Sequence, residues 1–290
     1  MKRNTFQLGN IVIVCLLSIF AIFCLYPVIY VILASLSDPI LLAQHTGILL
    51  APTGFTLKGY QVILQYSSIW TGYLNTLIIC TCGTAVNMVM TIMASYVLMH
   101  KELSLHRFFN IMTIITMYFG GGMIPTYMVV KSLGLINNRF SLILPVAIST
   151  WNAIILRSAM SEVPGALLDS AVIDGASDTV ILTRVVLPLV KPTLAVLALY
   201  YMMGHWNSWF SAMIYLQDRN KYPLQLILRE ILISGDMTAN SGMFDMTSMD
   251  MYKLLTKYCS TVVAIIPVLL IYPFLQKFFV KGVMIGAVKG

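Results

Sequence analysis

Residues 11–36, 71–99, 108–130, 140–156, 192–216 and 259–276 form six apolar stretches without a single Asp, Glu, Lys or Arg. A helix needs roughly 20 such residues to cross a hydrocarbon core about 30 Å thick. Inside that core only helices and closed barrels satisfy their own backbone polar groups. The pattern therefore predicts an all-α integral membrane protein with six transmembrane helices in one domain, residues 1–290, with a core over 71–280. Composition agrees: 59% of the 290 residues are hydrophobic and 10% charged, where soluble domains carry about a quarter charged.

Lys and Arg outnumber Asp and Glu by 18 to 11. No basic cluster interleaves with aromatics, so the excess reads as membrane topology and excludes a nucleic-acid partner. The short segments 1–10, 100–107, 157–191 and 277–290 hold ten of the basic residues, close to the span ends. The rest lie mostly in two long loops, where charge weighs less on orientation. This favours both termini inside, a cytoplasmic tail at 277–290 and outer loops at 37–70 and 217–258. Met1-Lys2-Arg3 before an apolar run resembles a signal peptide. The run exceeds an h-region of about 7–15 residues, which predicts a retained first helix. The five cysteines fall in or beside apolar segments and read as small buried hydrophobes, with no disulfide framework and no metal site.

One polar island, residues 162–188, stands between the fourth and fifth spans. Pro164 suits a helix's first turn, and Gly165–Ile173 tolerates a helix. Asp174-Gly175 predicts its stop. Ser177 and Asp178 predict a cap for a second helix over 179–187, ended by Pro188. The first helix gathers Ala166, Leu167 and Ala171 with the acid Asp169, a knob that a groove on another protein fits. An amphipathic hairpin lying on the lipid interface fits the same residues.

The island's spacing resembles the hallmark loop of ABC-importer permeases, E-A-A, three residues, G, nine residues, I-x-L-P. Here it reads Asp169-Ser170-Ala171, three residues, Gly175, nine residues, then Val185-Val186-Leu187-Pro188. Asp replaces Glu, Ser replaces Ala and Val replaces Ile. Residues 120–127 (GGGMIPTY), 132–137 (SLGLIN) and 204–210 (GHWNSWF) are similar to carbohydrate-uptake permeases of the maltose-type, MalG-like and LplC-like branch. So is the tail from Gly282 through Gly286 and Lys289 to Gly290.

The resemblance implies a multi-pass subunit of the cell membrane that passes an oligosaccharide, in lipid, beside a second, non-identical permease. Residues 157–191 become the coupling loop. Within it Ala166, Leu167, Asp169, Ser170, Ala171, Asp174, Gly175, Leu187 and Pro188 meet one of two copies of an ABC ATPase. The tail enters the ATPase dimer. An extracellular solute-binding protein meets the 217–258 loop, where Met237, Met243 and Met246 offer adaptable contacts. No G-x-x-x-x-G-K-[ST] occurs, so ATP and Mg belong to the partner ATPase, and this subunit is no enzyme and needs no cofactor.

For the substrate pathway, Trp206, Asn207 and Trp209 in the fifth span offer ring faces and an amide for a sugar; helix packing or an aromatic belt explains them as well. Gly120, Gly121 and Gly122 with Pro125 predict a break in the third span, beside which Tyr118 and Tyr127 are further pathway candidates. His205 has no intramembrane carboxylate to pair with, and reads as a packed, hydrogen-bonded side chain. Competing readings are an ABC permease for another solute, an ATPase-independent secondary transporter or channel, and an intramembrane enzyme. The second needs ionisable residues within spans or inverted repeats. The third needs converging catalytic groups.

Overall fold

A computed structural model of the chain describes residues 8–234 and 253–270. Among them there is no strand, only an isolated antiparallel bridge between Ser37 and Phe55. In chain order the helices are α1 (Leu8–Ser35), α2 (Pro39–Gln44), α3 (Lys58–Gln65), α4 (Ser67–Met99), α5 (His106–Tyr118) and α6 (Met123–Ser132). Two 3-10 turns at Arg139–Leu142 and Leu144–Val146 lead to α7 (Thr150–Ser161) and α8 (Gly165–Ile173). Then come α9 (Asp178–Leu189), α10 (Lys191–Trp206), α11 (Trp209–Tyr215), α12 (Leu224–Ser234) and α13 (Lys253–Leu270).

Among the described residues α1, α4 and α13 are each long and apolar enough to cross a bilayer. The count reaches six only if three bent pairs are each one span: α5 with α6 at 117°, the 3-10 turns with α7 at 51°, and α9 with α10 at 85°. The break expected within 108–130 at the three glycines is present, whereas the unbroken span expected at 140–156 is corrected to a bent one. The causes are local. Gly122 sits at φ +81°, a left-handed backbone open to glycine, and it stops α5 from running into α6. Pro145 lies in the second 3-10 turn. Pro192 stands in the first turn of α10, where its missing N–H costs nothing and the chain can change direction.

Two further expectations need correction. Pro188 does not end the hairpin's second helix: the chain stays helical to Leu189. A π segment at Ile181–Val186 precedes the proline and takes the Arg184 carbonyl, four residues back, out of α-helical register. Nor are all the cysteines buried, because Cys15, Cys24 and Cys82 are exposed. They lie on apolar helix surfaces, as α1 illustrates: its most apolar window has no buried residue.

The chain divides into two compact units, one of Met1–Ile69 with Leu228–Pro267, the other of Trp70–Ile227 with Val268–Gly290. In the first, the Ser35 hydroxyl pairs with the Tyr60 phenol at 2.7 Å. The Cys259 thiol donates to the Ser35 carbonyl at 3.3 Å. Gly59 packs so closely that a Cβ there would lie 2.6 Å from Cys259 Sγ.

The second unit is organised by α4. Lipid tails are as apolar as Leu, so helices in a membrane are held by close packing and interhelical hydrogen bonds. Residues 75, 79, 83, 87, 91 and 95, one every four, are all buried. Each four-residue step turns roughly 40° beyond a full turn, so the stripe winds around α4 and faces a different partner at each level. At one end the Asn75 amide donates to the carbonyls of Asn220 and Tyr222, at 2.8 and 3.0 Å, and accepts from the Arg139 guanidinium at 2.7 Å. Midway, Asn87 meets His205 and the Val146 carbonyl, and Thr91 pairs with the Tyr201 hydroxyl at 2.6 Å. At the far end Ser95 donates to the Ala153 carbonyl at 2.9 Å.

Candidate functional site

The hairpin of α8 and α9 grows from the Ser95 end of α4. Its turn is a Schellman closure: the Ala176 N–H bonds the Ala171 carbonyl and the Gly175 N–H bonds the Val172 carbonyl, both at 3.0 Å. Gly175 holds φ +77°, which is why glycine occupies that place. Ser177 is the N-cap of α9 but makes no side-chain capping bond. Leu168, Ala171, Ala176 and Leu187 pack on a core that includes Leu156, Met160, Ile181 and Val186. The rest of α8 is open: Ile173, on the far side, is 84% exposed, and Leu167 and Val172, flanking the packed side, are 45% and 61% exposed. Ala166, Asp169, Ser170, Asp174 and Pro188 are exposed as well. The residues of the spacing motif are thus divided: Val186 is buried in this core, Ala171 and Leu187 pack on it, Val185 is half-buried, and Asp169, Ser170, Gly175 and Pro188 are exposed.

A cavity of about 790 Å³ lies within the same unit, between the α5–α6 break, the 3-10 turns, α7, α10 and α11. Tyr200, Gly204, Asn207, Ser208 and Ser211 contribute one helical face across the α10–α11 junction. Opposite them stand Gly120, Gly121 and Gly122. None of its lining residues is Asp, Glu, Lys or Arg.

His205 also lines it but is 4% exposed, with Nε2 2.6 Å from Asn87 Oδ1. A packed, hydrogen-bonded histidine is what the sequence predicts, and this is one.

Of the five pathway candidates, Asn207 alone lines this cavity, exposed, with its amide N–H donating to the Met203 carbonyl at 2.9 Å. Trp206 is buried and borders a separate apolar groove of about 550 Å³ with Leu77, Cys80, Met88 and Met202. Tyr127 stacks on Tyr215, and both it and Trp209 pack on the core around Ile79 and Leu142. Tyr118 is 73% exposed at the end of α5. Met237, Met243 and Met246, and Gly282, Gly286, Lys289 and Gly290, lie outside the described residues.

Asn152, Ser149 and Tyr200 are cavity residues that sequence reasoning passed over. Their signal is legible afterwards as polar groups at helical spacing in charge-free stretches. Asn137 was passed over too. At φ +60°, its side-chain oxygen accepts the N–H groups of Gln217 and Asp218, at 3.2 and 3.0 Å. Its own carbonyl accepts from Lys221 Nζ at 2.8 Å.

No protein-family model matches the chain. The polygalacturonan/rhamnogalacturonan transport system permease protein YtcP of Bacillus subtilis (strain 168) is 39% identical over 289 residues, 98% of this chain and 99% of that one. The chain belongs to the permeases of carbohydrate ABC importers. Protein LplC of the same organism is 38% identical over 264 residues, 91% of this permease and 89% of LplC. The crystal structure of a bacterial ABC transporter involved in the import of the acidic polysaccharide alginate has a chain 30% identical to the permease, with a TM-score of 0.84. That match covers 96% of this chain and 99% of the other. The permease is therefore a membrane transport subunit, and its broken helices belong to a fold shared along nearly its whole length.

Proposed function

We propose that this permease is one of two non-identical subunits forming the membrane path of an ATP-driven importer for an oligosaccharide. In this reading it crosses the cytoplasmic membrane six times with both termini inside, and each bent pair is one span. The α8 helix docks into one of two copies of an ATPase, which supply ATP and Mg chemistry. The 277–290 tail reaches the ATPase dimer, and the 217–258 loop meets an extracellular solute-binding protein.

The observation that carries the reading is the two-sided construction of α8. Its inner side is fixed to the α7–α9–α10 core, and its remaining surface offers Ile173, flanked at the edges by Leu167 and Val172, beside three polar groups. Exposed apolar side chains set among polar ones on a short helix suit a protein-binding surface. Geometry supplies the transmission. The hairpin packs at the Ser95 end of α4, while the 219–222 segment bonds Asn75 at the other. Between Asn75 and Tyr96 α4 runs without a break, roughly 30 Å at about 1.5 Å per residue. A push on α8 is then delivered through α10 to the cavity walls, a rigid-body switch between inward- and outward-facing states. Asn207 lies on the sugar path in this reading, and Trp206, Trp209, Tyr118 and Tyr127 are tested with it by alanine substitution.

The test replaces Gly175 with Leu and, separately, Asp169 with Lys in the assembled transporter. Sugar-stimulated ATP hydrolysis is expected to fall while the ATPase subunits still hydrolyse ATP on their own. Full coupling in both variants would remove α8 from the transmission.

A further inference from the structure

The cavity's hydrogen-bonding groups are unevenly used. Thr126, Ser141 and Ser208 each donate their hydroxyl proton to a backbone carbonyl, of Gly122, Asn138 and His205. The Tyr201 hydroxyl is engaged by Thr91 and by the Ser149 N–H. What remains unspent is a run of donors. Among the described residues no acceptor meets the N–H groups of Gly120, Gly121 and Gly122, nor that of Met123 in the first turn of the ten-residue α6. The α6 N-terminus has no side-chain cap.

Two features indicate that this run faces a ligand. A Cβ on Gly120 would meet nothing within 4 Å, and one on Gly121 only Pro125 Cβ at 3.7 Å. Neither glycine has a left-handed φ. Backbone conformation and packing within this chain therefore leave both glycines unexplained, and the open space allows close approach of a bound group to bare backbone. The second feature is independent of the first. Asn152 on α7 lines the same cavity, is 6% exposed, and its side-chain amide has no hydrogen-bond partner among the described residues. The amide opens into the cavity, where a bound group can complete its hydrogen bonds.

We propose that the backbone N–H groups of residues 120–123 and the Asn152 amide form a subsite for the carboxylate of an acidic sugar. Unspent N–H groups at a helix N-terminus favour an anion over a neutral acceptor. No carboxylate of the chain lines the cavity to repel it, and no Lys or Arg is present to trap it. Dipoles without a counter-charge hold an anion firmly enough to orient it and weakly enough to release it, which passage requires. This assignment rests on the importer reading above and adds the charge of the cargo.

The complete transporter in proteoliposomes tests it. Uptake is measured at saturating binding protein for a panel of short uronate oligosaccharides and for their neutral methyl esters. Asn152→Asp keeps the side chain's size and places a negative charge at the subsite. It is expected to slow uptake of the acids at least 10-fold and that of the esters less than 2-fold. A Gly120→Ala/Gly121→Ala pair, which the surrounding space accommodates, is expected to slow the acids about 5-fold with the same selectivity, and co-purification of the subunits confirms assembly. Equal losses on acid and ester, or no loss on either, overturn the subsite. Wild-type uptake of esters but not acids also overturns it, and leaves the importer reading intact. Uptake of neither class, together with no sugar-stimulated ATP hydrolysis, overturns the importer reading and the subsite with it.

Discussion

The backbone of Gly83 on α4 lies flat against the imidazole of His205 on α10, so close that a Cβ on Gly83 would fall on the ring. The ring cannot retreat, because its Nε2 is held at 2.6 Å by Asn87, one turn further along α4. Gly83→Ala is therefore expected to destabilise the permease by about 1–3 kcal/mol, the usual cost of overpacking. Thermal unfolding of the purified complex reads this directly. An unchanged melting temperature would mean that the ring has room to swing away.

Asn87 joins three elements, since its side chain accepts or shares the His205 proton and donates to the Val146 carbonyl. Interhelical hydrogen bonds in membranes couple by about 0.6 kcal/mol on average, with a ceiling near 1.7. A double-mutant cycle of Asn87→Ala with His205→Leu is expected to return a coupling toward the upper end of that range. The pair is buried, at 0% and 4% exposure, which limits how far water can replace either partner. A coupling near zero would show the contact to be incidental.

Asn137 combines a left-handed backbone with three hydrogen bonds to the 217–221 segment. Asn137→Gly preserves the conformation and removes only the side-chain oxygen. Asn137→Val removes that oxygen and also strains the backbone, because a β-branched residue at φ +60° is a rare outlier. Valine is expected to cost about 1–3 kcal/mol more than glycine, measured by denaturation of the complex or by protease access to the 217–221 segment. Equal effects of the two substitutions would show that the side-chain bonds alone matter.

How much of this was legible in sequence differs by element. The 120–122 glycines and the Asp174-Gly175 stop announce a break and a turn, because glycine acts locally through φ. The 162–188 spacing is equally local, and α8 follows it to the residue. The bend at 139–150 is another matter: a hydropathy window averages over it, and a charge-free stretch reads as one helix wherever it is broken, while the bend at Val190 falls just before the 192–216 stretch, where hydropathy gives no direction. Trp206 and Trp209 attracted notice as large amphipathic rings, yet one borders a different groove and the other packs in the core. A single span carries no record of which face meets which neighbour. The Asn75-to-Ser95 stripe was present in the sequence, but only its winding around α4 reveals that each polar group has its own partner.

Leu168 and Ile173, five residues apart on α8, separate folding from docking. Leu168 packs on the core of α7, α9 and α10, while Ile173 is 84% exposed. Leu168→Ala removes packing from a half-buried site, so it is expected to cost about 1–2 kcal/mol, below the roughly 2–5 of a fully buried leucine. Ile173→Ala removes little that the isolated permease uses, and its stability should change by less than about 0.5 kcal/mol. The order reverses in the assembled transporter. Ile173→Ala is expected to lower sugar-stimulated ATP hydrolysis several-fold and to weaken retention of the ATPase during purification. Leu168→Ala should act there only to the extent that the hairpin unfolds. Thermal melts of the permease alongside ATPase retention in the complex check both halves, and an Ile173→Ala variant with full coupling would move the docking surface elsewhere on the hairpin.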